Sequence, residues 1–208
     1  MKIQDVINLA KKRGPKTVAV ACCQDKEVLL AVENARKEGI INAILVGDID
    51  KTKQIAESLN ISLENYKLID ISDLSEACLK AVQLVSEGSA DIVMKGLVDT
   101  SIILKAVLNK EIGLRTGNVL SHTGVFHVEG YDKLFFITDA AMNIDPDLNT
   151  KKQIIQNAVK LARALDIDEP KVAVLCAKEK VNPKMPDTVD AKELEEMNKK
   201  GEIKDCIV

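Results

Sequence analysis

The chain has no tryptophan, and only two tyrosines and three phenylalanines among 208 residues. Proteins that grip single-stranded nucleic acid stack bases on aromatic rings, and this chain has too few rings for such a platform. Its core must be aliphatic. A charge surplus is also missing. The 29 Lys+Arg against 32 Asp+Glu leave −3, without the concentrated basic face that nucleic acid or an anionic membrane surface requires. No apolar run is long enough to cross a bilayer. The N-terminal MKIQDVINLAKKRG has no signal-peptide core and instead places Ile3, Val6, Ile7 and Ala10 on one helical face. A cytoplasmic location is expected. The five cysteines, Cys22, Cys23, Cys78, Cys176 and Cys206, form no CxxC pair. That disfavours both a zinc site and a disulfide framework, and buried reduced thiols are expected. Two nucleotide fingerprints are absent as well. GxGxxG does not follow the first strand and GxxxxGK[ST] occurs nowhere, which disfavours nicotinamide and P-loop sites.

What is present is a regular alternation. Thr17–Cys22 is a β-branched apolar run of strand length. Asp25 then stands where it can cap a helix reaching Glu38, with Val28, Leu29, Val32 and Ala35 inward and Gly39 beyond the end. Ile41–Val46 and Lys67–Ile71 read as further strands, and Lys51–Leu59 and Leu74–Ser86 as helices. Because the strands are continuous apolar runs, the pattern predicts a parallel sheet with helices on both faces, a three-layer α/β architecture. Ligands of such sheets bind beyond the carboxyl ends of the strands.

Asp91–Leu108, DIVMKGLVDTSIILKAVL, is the stretch best placed for this. Asp91–Met94 predicts a buried strand, Lys95-Gly96 breaks it, and Ile102, Ile103, Ala106 and Val107 share one face of the next helix. Asp99 or Thr100 is the expected N-cap. The helix start offers free N–H groups and partial positive charge, with the Thr100 and Ser101 hydroxyls and the Lys95 ammonium nearby, a combination suited to phosphate. Ordinary turn and cap chemistry would select the same Gly, Thr and Ser. The absence of a competing nucleotide motif tips the choice towards an anion site.

The texture changes after Glu111. Val119–Val128 is β-rich, Glu129–Asp132 reads as a hairpin turn, and Leu134–Thr138 as the return strand, suggesting a second subdomain. The division expected is residues 1–115 and 116–208. Asn149 or Thr150 is the expected cap of a helix reaching Leu165. Lys171–Cys176 predicts another buried strand, Ala177–Thr188 a proline-bearing loop, and Ala191–Lys200 a charged helix. Asp205–Val208 reads as the opening of a strand, so a fragment is expected. The only two histidines, His122 and His127, would lie on opposite faces of a regular strand and could not share a metal. His127 reads as structural, and His122, beside Ser121, as able to line a site. Asp145 and Asp147 read as turn and cap residues, whereas Asp139 ends a strand where ligands bind. Arg115 serves equally well as an anion donor or a surface charge.

Three runs carry a family resemblance: MKGLVDTSIILKAVL at Met94–Leu108, LSHTGVFHVEGYDKLFFITDAAMNIDPDLNTKKQI at Leu120–Ile154, and KVAVLCAKEKVNPKMPDTVDA at Lys171–Ala191. The chain resembles the phosphate acetyl/butyryltransferase family, and within it the phosphate butyryltransferase branch. The resemblance implies an isocitrate/isopropylmalate dehydrogenase-like architecture of two subdomains with a cleft between them. It implies the reaction butyryl-CoA plus phosphate giving butyryl phosphate plus CoA, with no metal or cofactor and CoA as a substrate. Homo-oligomerisation is implied too. Substrate contacts are expected from Lys95, Gly96, Thr100, Ser101, Arg115, Ser121, His122, Asp139, Asn143 and Pro146. The catalytic base is expected in a Ser-Arg…Asp segment that nothing here matches. A non-catalytic binding module of this fold is the alternative, and a metal-dependent dehydrogenase a more distant one.

Overall fold

A computed structural model describes the whole chain, residues 1–208. The chain divides into two compact units, Ile7–Thr116 and Met1–Val6 with Gly117–Val208. Helix α1 (Ile3–Arg13) buries none of its residues. The apolar stripe read from the sequence is therefore not a core stripe. Its length is too short, and its remaining positions too charged, for the sequence alone to reveal that.

The Ile7–Thr116 unit alternates strand and helix as β1 (Lys16–Ala21), α2 (Lys26–Lys37), β2 (Ile41–Gly47), α3 (Ile49–Ser58), β3 (Lys67–Asp70), α4 (Leu74–Ser86), β4 (Ile92–Lys95) and α5 (Thr100–Val107). The strands form one parallel sheet ordered β3-β2-β1-β4. Val18 pairs with Ala43 on one side and Ile92 on the other, and Ile44 pairs with Lys67. The two-residue period of the strands sorts the side chains by face. Ala19, Ala21, Ile44 and Val46 pack against Ala77, Cys78, Ala81 and Val82 of α4 and Ile103 and Ala106 of α5. Val18, Val20, Ala43 and Leu45 pack against Leu29 and Val32 of α2 and Ile49 and Ala56 of α3. Both faces are covered, giving the three layers expected. The alanines on the α4 side let helix and sheet approach closely, which suits a core with few aromatic rings.

One strand differs from the expectation. β4 is an edge strand, and Ile92 is 48% exposed. A short apolar run looks the same at the edge of a sheet as at its centre, so the sequence overstated the burial.

The Gly117–Val208 unit contains an antiparallel hairpin, β5 (Gly124–His127) with β6 (Leu134–Ile137), whose turn includes Gly130 at φ +87°. It also contains α6 (Leu148–Ala164) and α7 (Pro186–Lys199). Ile155, Val159, Leu194, Ile203 and Cys206 form its core, joined by Val172 and Val174. Four expectations are corrected here. Strand structure is confined to Gly124–His127 within the β-rich stretch. The cap of α6 is Asp147, whose carboxylate accepts the Thr150 amide, not Asn149 or Thr150 itself. Lys171–Cys176 is extended but unpaired except for one parallel bridge, Lys171 to Ile207. Its burial alternates, with Leu175 88% exposed. Finally, α7 begins at Pro186, because proline is compatible with the first helical position even though it breaks a helix interior.

Candidate functional site

The chain order places β2 and β3 on one side of β1 and β4 on the other. The loops leaving β1 and β4 therefore diverge at a topological switch point, the position where open parallel sheets bind ligands. Here they are also laced together. The Gly96 amide donates to the Ala21 carbonyl at 2.8 Å, and the Leu97 amide to the Cys22 carbonyl at 3.1 Å. A Cβ on Gly96 would lie 2.2 Å from the Cys22 oxygen and 2.6 Å from the Ala21 oxygen, so only glycine permits this approach. The Lys95 ammonium donates to the carbonyls of Gly96 (3.3 Å) and Val98 (2.8 Å). It thus braces the turn with part of its donor capacity while keeping positive charge at the junction.

The helix starts at this end of the sheet differ in one respect. Asp25 caps α2 by accepting the Val28 amide. Asp48 accepts the Lys51 amide of α3, and Asp70 accepts its Ile49 amide. Asp73 accepts the Glu76 amide of α4. Asp99, at the start of α5, makes no such bond with its side chain. The amide such a cap would take, that of Ile102, donates instead to the Asp99 main-chain carbonyl at 3.0 Å, so no carboxylate stands over the start of α5, where Thr100 and Ser101 are both exposed. An anion placed there would meet unfilled donors and the positive end of the helix dipole. Arg115 is exposed in the segment following α5, outside this hydrogen-bonded junction.

Cys22 lies under the same junction but is no nucleophile. It is fully buried, with its sulfur 3.9 Å from that of Cys78. Burial, then the neighbouring Cys78, pushes its thiol up to about 12, so it stays protonated and unreactive at neutral pH.

In the other unit, Asp139 organises the loop after β6. One carboxylate oxygen accepts the Ala141 and Met142 amides at 2.9 and 3.0 Å, and the other accepts the Asn143 side-chain amide. Burial works to raise the Asp139 pKa, but these three donors outweigh it and hold it below the usual carboxylate value. Asn143 also donates to the Leu120 carbonyl at 3.0 Å, and the Thr138 hydroxyl to the His122 carbonyl at 2.7 Å. The 120–122 strip and the 138–143 loop are therefore one network. His122 contributes its backbone to this network and exposes its ring, Ser121 is half-buried, and Pro146 directly precedes the α6 cap. Replacing Asp139 by Ala would strand three donors. The expected loss is about 1–2 kcal/mol in chemical denaturation, with Asp139→Asn falling between it and the native protein.

Two residues of this network were not foreseen. Asn157 of α6 donates to the Val119 carbonyl and to the Ser121 hydroxyl, and Gln153 accepts the Val119 amide. Their i,i+4 spacing was the available signal, because two amides one turn apart can clamp a neighbouring strand. His, Cys, Asp and Glu nowhere form a group of three able to hold a metal ion. No helix is long and apolar enough to cross a membrane.

The profile of the family described as phosphate acetyl/butaryl transferase matches residues 1–77 and 72–207. The chain belongs to this family. Among members of the phosphate acetyl/butaryl transferase family, phosphate butyryltransferase of Clostridium acetobutylicum is 48% identical over 204 residues, covering 98% of this chain and 68% of its own. Probable phosphate butyryltransferase of Bacillus subtilis is 43% identical over 208 residues, 100% of this chain and 69% of its own. A branched-chain phosphotransacylase from Enterococcus faecalis superposes with a TM-score of 0.77 at 32% identity, over 93% of this chain and 67% of that one. The α/β fold is thus shared with a solved phosphotransacylase, and the transferase family covers both units.

Proposed function

We propose that this protein exchanges phosphate and coenzyme A on a short-chain acyl group, butyryl-CoA plus phosphate giving butyryl phosphate plus CoA. The observation that carries the reading is the start of α5 at the switch point, where Asp99, unlike Asp25, Asp48 and Asp73, keeps its carboxylate off the first turn and Thr100 and Ser101 are exposed. Membership of a transferase family with butyryl and acetyl representatives supports it. In the reaction a phosphate oxygen adds to the thioester carbonyl, the C–S bond breaks, and CoA leaves as the thiolate. Much of the catalytic demand is then to hold an anion and a thioester in attacking geometry.

On this reading, phosphate rests on the Thr100 and Ser101 amides and hydroxyls with the Lys95 charge alongside. Gly96 lets the turn close onto β1. CoA is a substrate, and no metal or resident cofactor is called for. A CoA substrate together with five unpaired thiols suits a reducing, cytoplasmic setting. The protein is also read as a homo-oligomer, since the two-stranded β5–β6 hairpin exposes Phe126, Val128 and Ile137 and such a pair is marginal alone.

The test is Thr100→Ala combined with Ser101→Ala. The loss of two hydroxyl contacts should raise KM for phosphate by about tenfold while leaving KM for butyryl-CoA within twofold. An unchanged phosphate KM would reject the α5 site.

A further inference from the structure

Leu97 sits in the middle of the junction and is 62% exposed, although Gly96 before it is buried and Val98 after it is 8% exposed. Turns of this kind usually place polar residues outward. The outward leucine is imposed by the backbone. The Gly96, Leu97 and Val98 amides are all hydrogen-bonded, to the carbonyls of Ala21, Cys22 and Gly96 respectively. The Lys95 ammonium ties down the Gly96 and Val98 carbonyls as well. Gly96 has no free space into which the turn could relax. The side chain is thus held in water by a backbone that cannot withdraw it.

We propose that Leu97 is the acyl-chain contact of this protein, the surface against which the hydrocarbon tail of a short-chain acyl thioester is buried. The proposal rests on the acyl-transfer reading for the chemical class of the ligand. It follows from position and chemistry. Acyl-CoA and acyl phosphate each join a short apolar tail to a reacting carbonyl, next to which an anion must bind. Leu97 and Thr100 are three residues apart, so their Cα atoms are separated by at most about 11 Å. An apolar group and a set of open anion donors are therefore displayed side by side on one rigid turn. A leucine already oriented and already exposed gains from each methylene it covers without first rearranging.

Calorimetric titration with acetyl-, propionyl- and butyryl-CoA tests the assignment without requiring turnover. In the native protein, affinity should rise about threefold to fourfold for each added methylene. Leu97→Ala should flatten that dependence, so that the butyryl-to-acetyl affinity ratio falls about tenfold. Leu97→Met, which keeps length and apolarity, should restore it. Unchanged melting temperatures in both variants would show that the turn itself is intact. An affinity that does not rise with chain length in the native protein, or a rise that Leu97→Ala leaves untouched, overturns the assignment. If the chain-length dependence exists and is lost in Leu97→Ala, but no butyryl phosphate forms, then the transferase reading fails and the role of Leu97 stands.

Discussion

Gly96→Ala is expected to lose about 3 kcal/mol of stability. The reason is contact with main chain. A Cβ at this position would meet the Cys22 carbonyl oxygen at 2.2 Å, and neither that oxygen nor the Ala21 oxygen at 2.6 Å can rotate away as a side chain would. Relief requires pulling the turn off β1, which breaks the Gly96 and Leu97 amide bonds and loosens the edge strand β4. Gly88→Ala is the informative comparison. Gly88 has φ +80° but nothing within 4 Å of the new atom. It should therefore cost only the conformational strain of a left-handed alanine, about 1 kcal/mol. Urea denaturation of the two variants separates the mechanisms, and equal losses would refute the steric account. Phosphate exchange should collapse in Gly96→Ala even where the protein remains folded, because the start of α5 moves with the turn.

The second large effect is expected at Glu33, which is 6% exposed on α2. Its carboxylate accepts two hydrogen bonds from the Arg36 guanidinium, at 2.8 and 3.1 Å, and one from the Tyr66 hydroxyl, with Lys37 at 3.3 Å. The Arg36 bonds lower its pKa most. Burial opposes them, and Tyr66 and Lys37 add to the lowering, bringing it from 4.5 to about 2. Burial, then the adjacent carboxylate, pushes the Tyr66 phenol up to about 12.

A carboxylate with a depressed native pKa stabilises the fold above its unfolded value. That stability should be complete above about pH 4.5 and should fade as the pH drops towards about 2. By linkage the displacement corresponds to about 3 kcal/mol. Glu33→Leu should cost a similar amount at neutral pH, since it leaves the buried Tyr66 hydroxyl and the half-buried Arg36 without their acceptor. It should also flatten the acid limb of a stability-versus-pH curve measured between pH 2 and 6. An acid limb as steep as the native one would show that other carboxylates control acid unfolding.

The parts of the fold legible in the sequence were those written in local chemistry. Asp25 before a helical stripe, Gly39 after it, and the full span of α4 could be read because caps and 3.6-residue periodicity act within a few residues. The parallel, two-faced sheet followed from strands that are continuously apolar. What could not be read were properties of neighbours. Ile92–Lys95 and Lys171–Cys176 are apolar runs of similar length. One became a sheet edge and the other stayed nearly unpaired, a difference decided by residues far away in the chain. Asp147 and Asn149 were both good caps for α6, and the proline before Asp147 was weaker guidance than the stripe that follows. At the candidate site, the Lys95–Ser101 junction was recognisable from residue type. The Asn157 clamp on Ser121 was not, because an amide on a helix reads as a solvent-facing residue until its partner is known.

The strand order has a consequence for how the chain comes together during synthesis. β1 lies at the middle of its sheet, yet its second neighbour, β4, is translated some seventy residues after it: Val18 waits for Ile92. β1, β2 and β3 can assemble as they emerge, but β1 then presents a bare row of amides and carbonyls, the kind of edge that recruits stray strands. That edge is shielded only when a four-residue strand arrives, with Gly96 as the latch behind it. Slow translation through residues 60–95 would prolong the exposed interval, and chaperone engagement of the nascent chain should concentrate there.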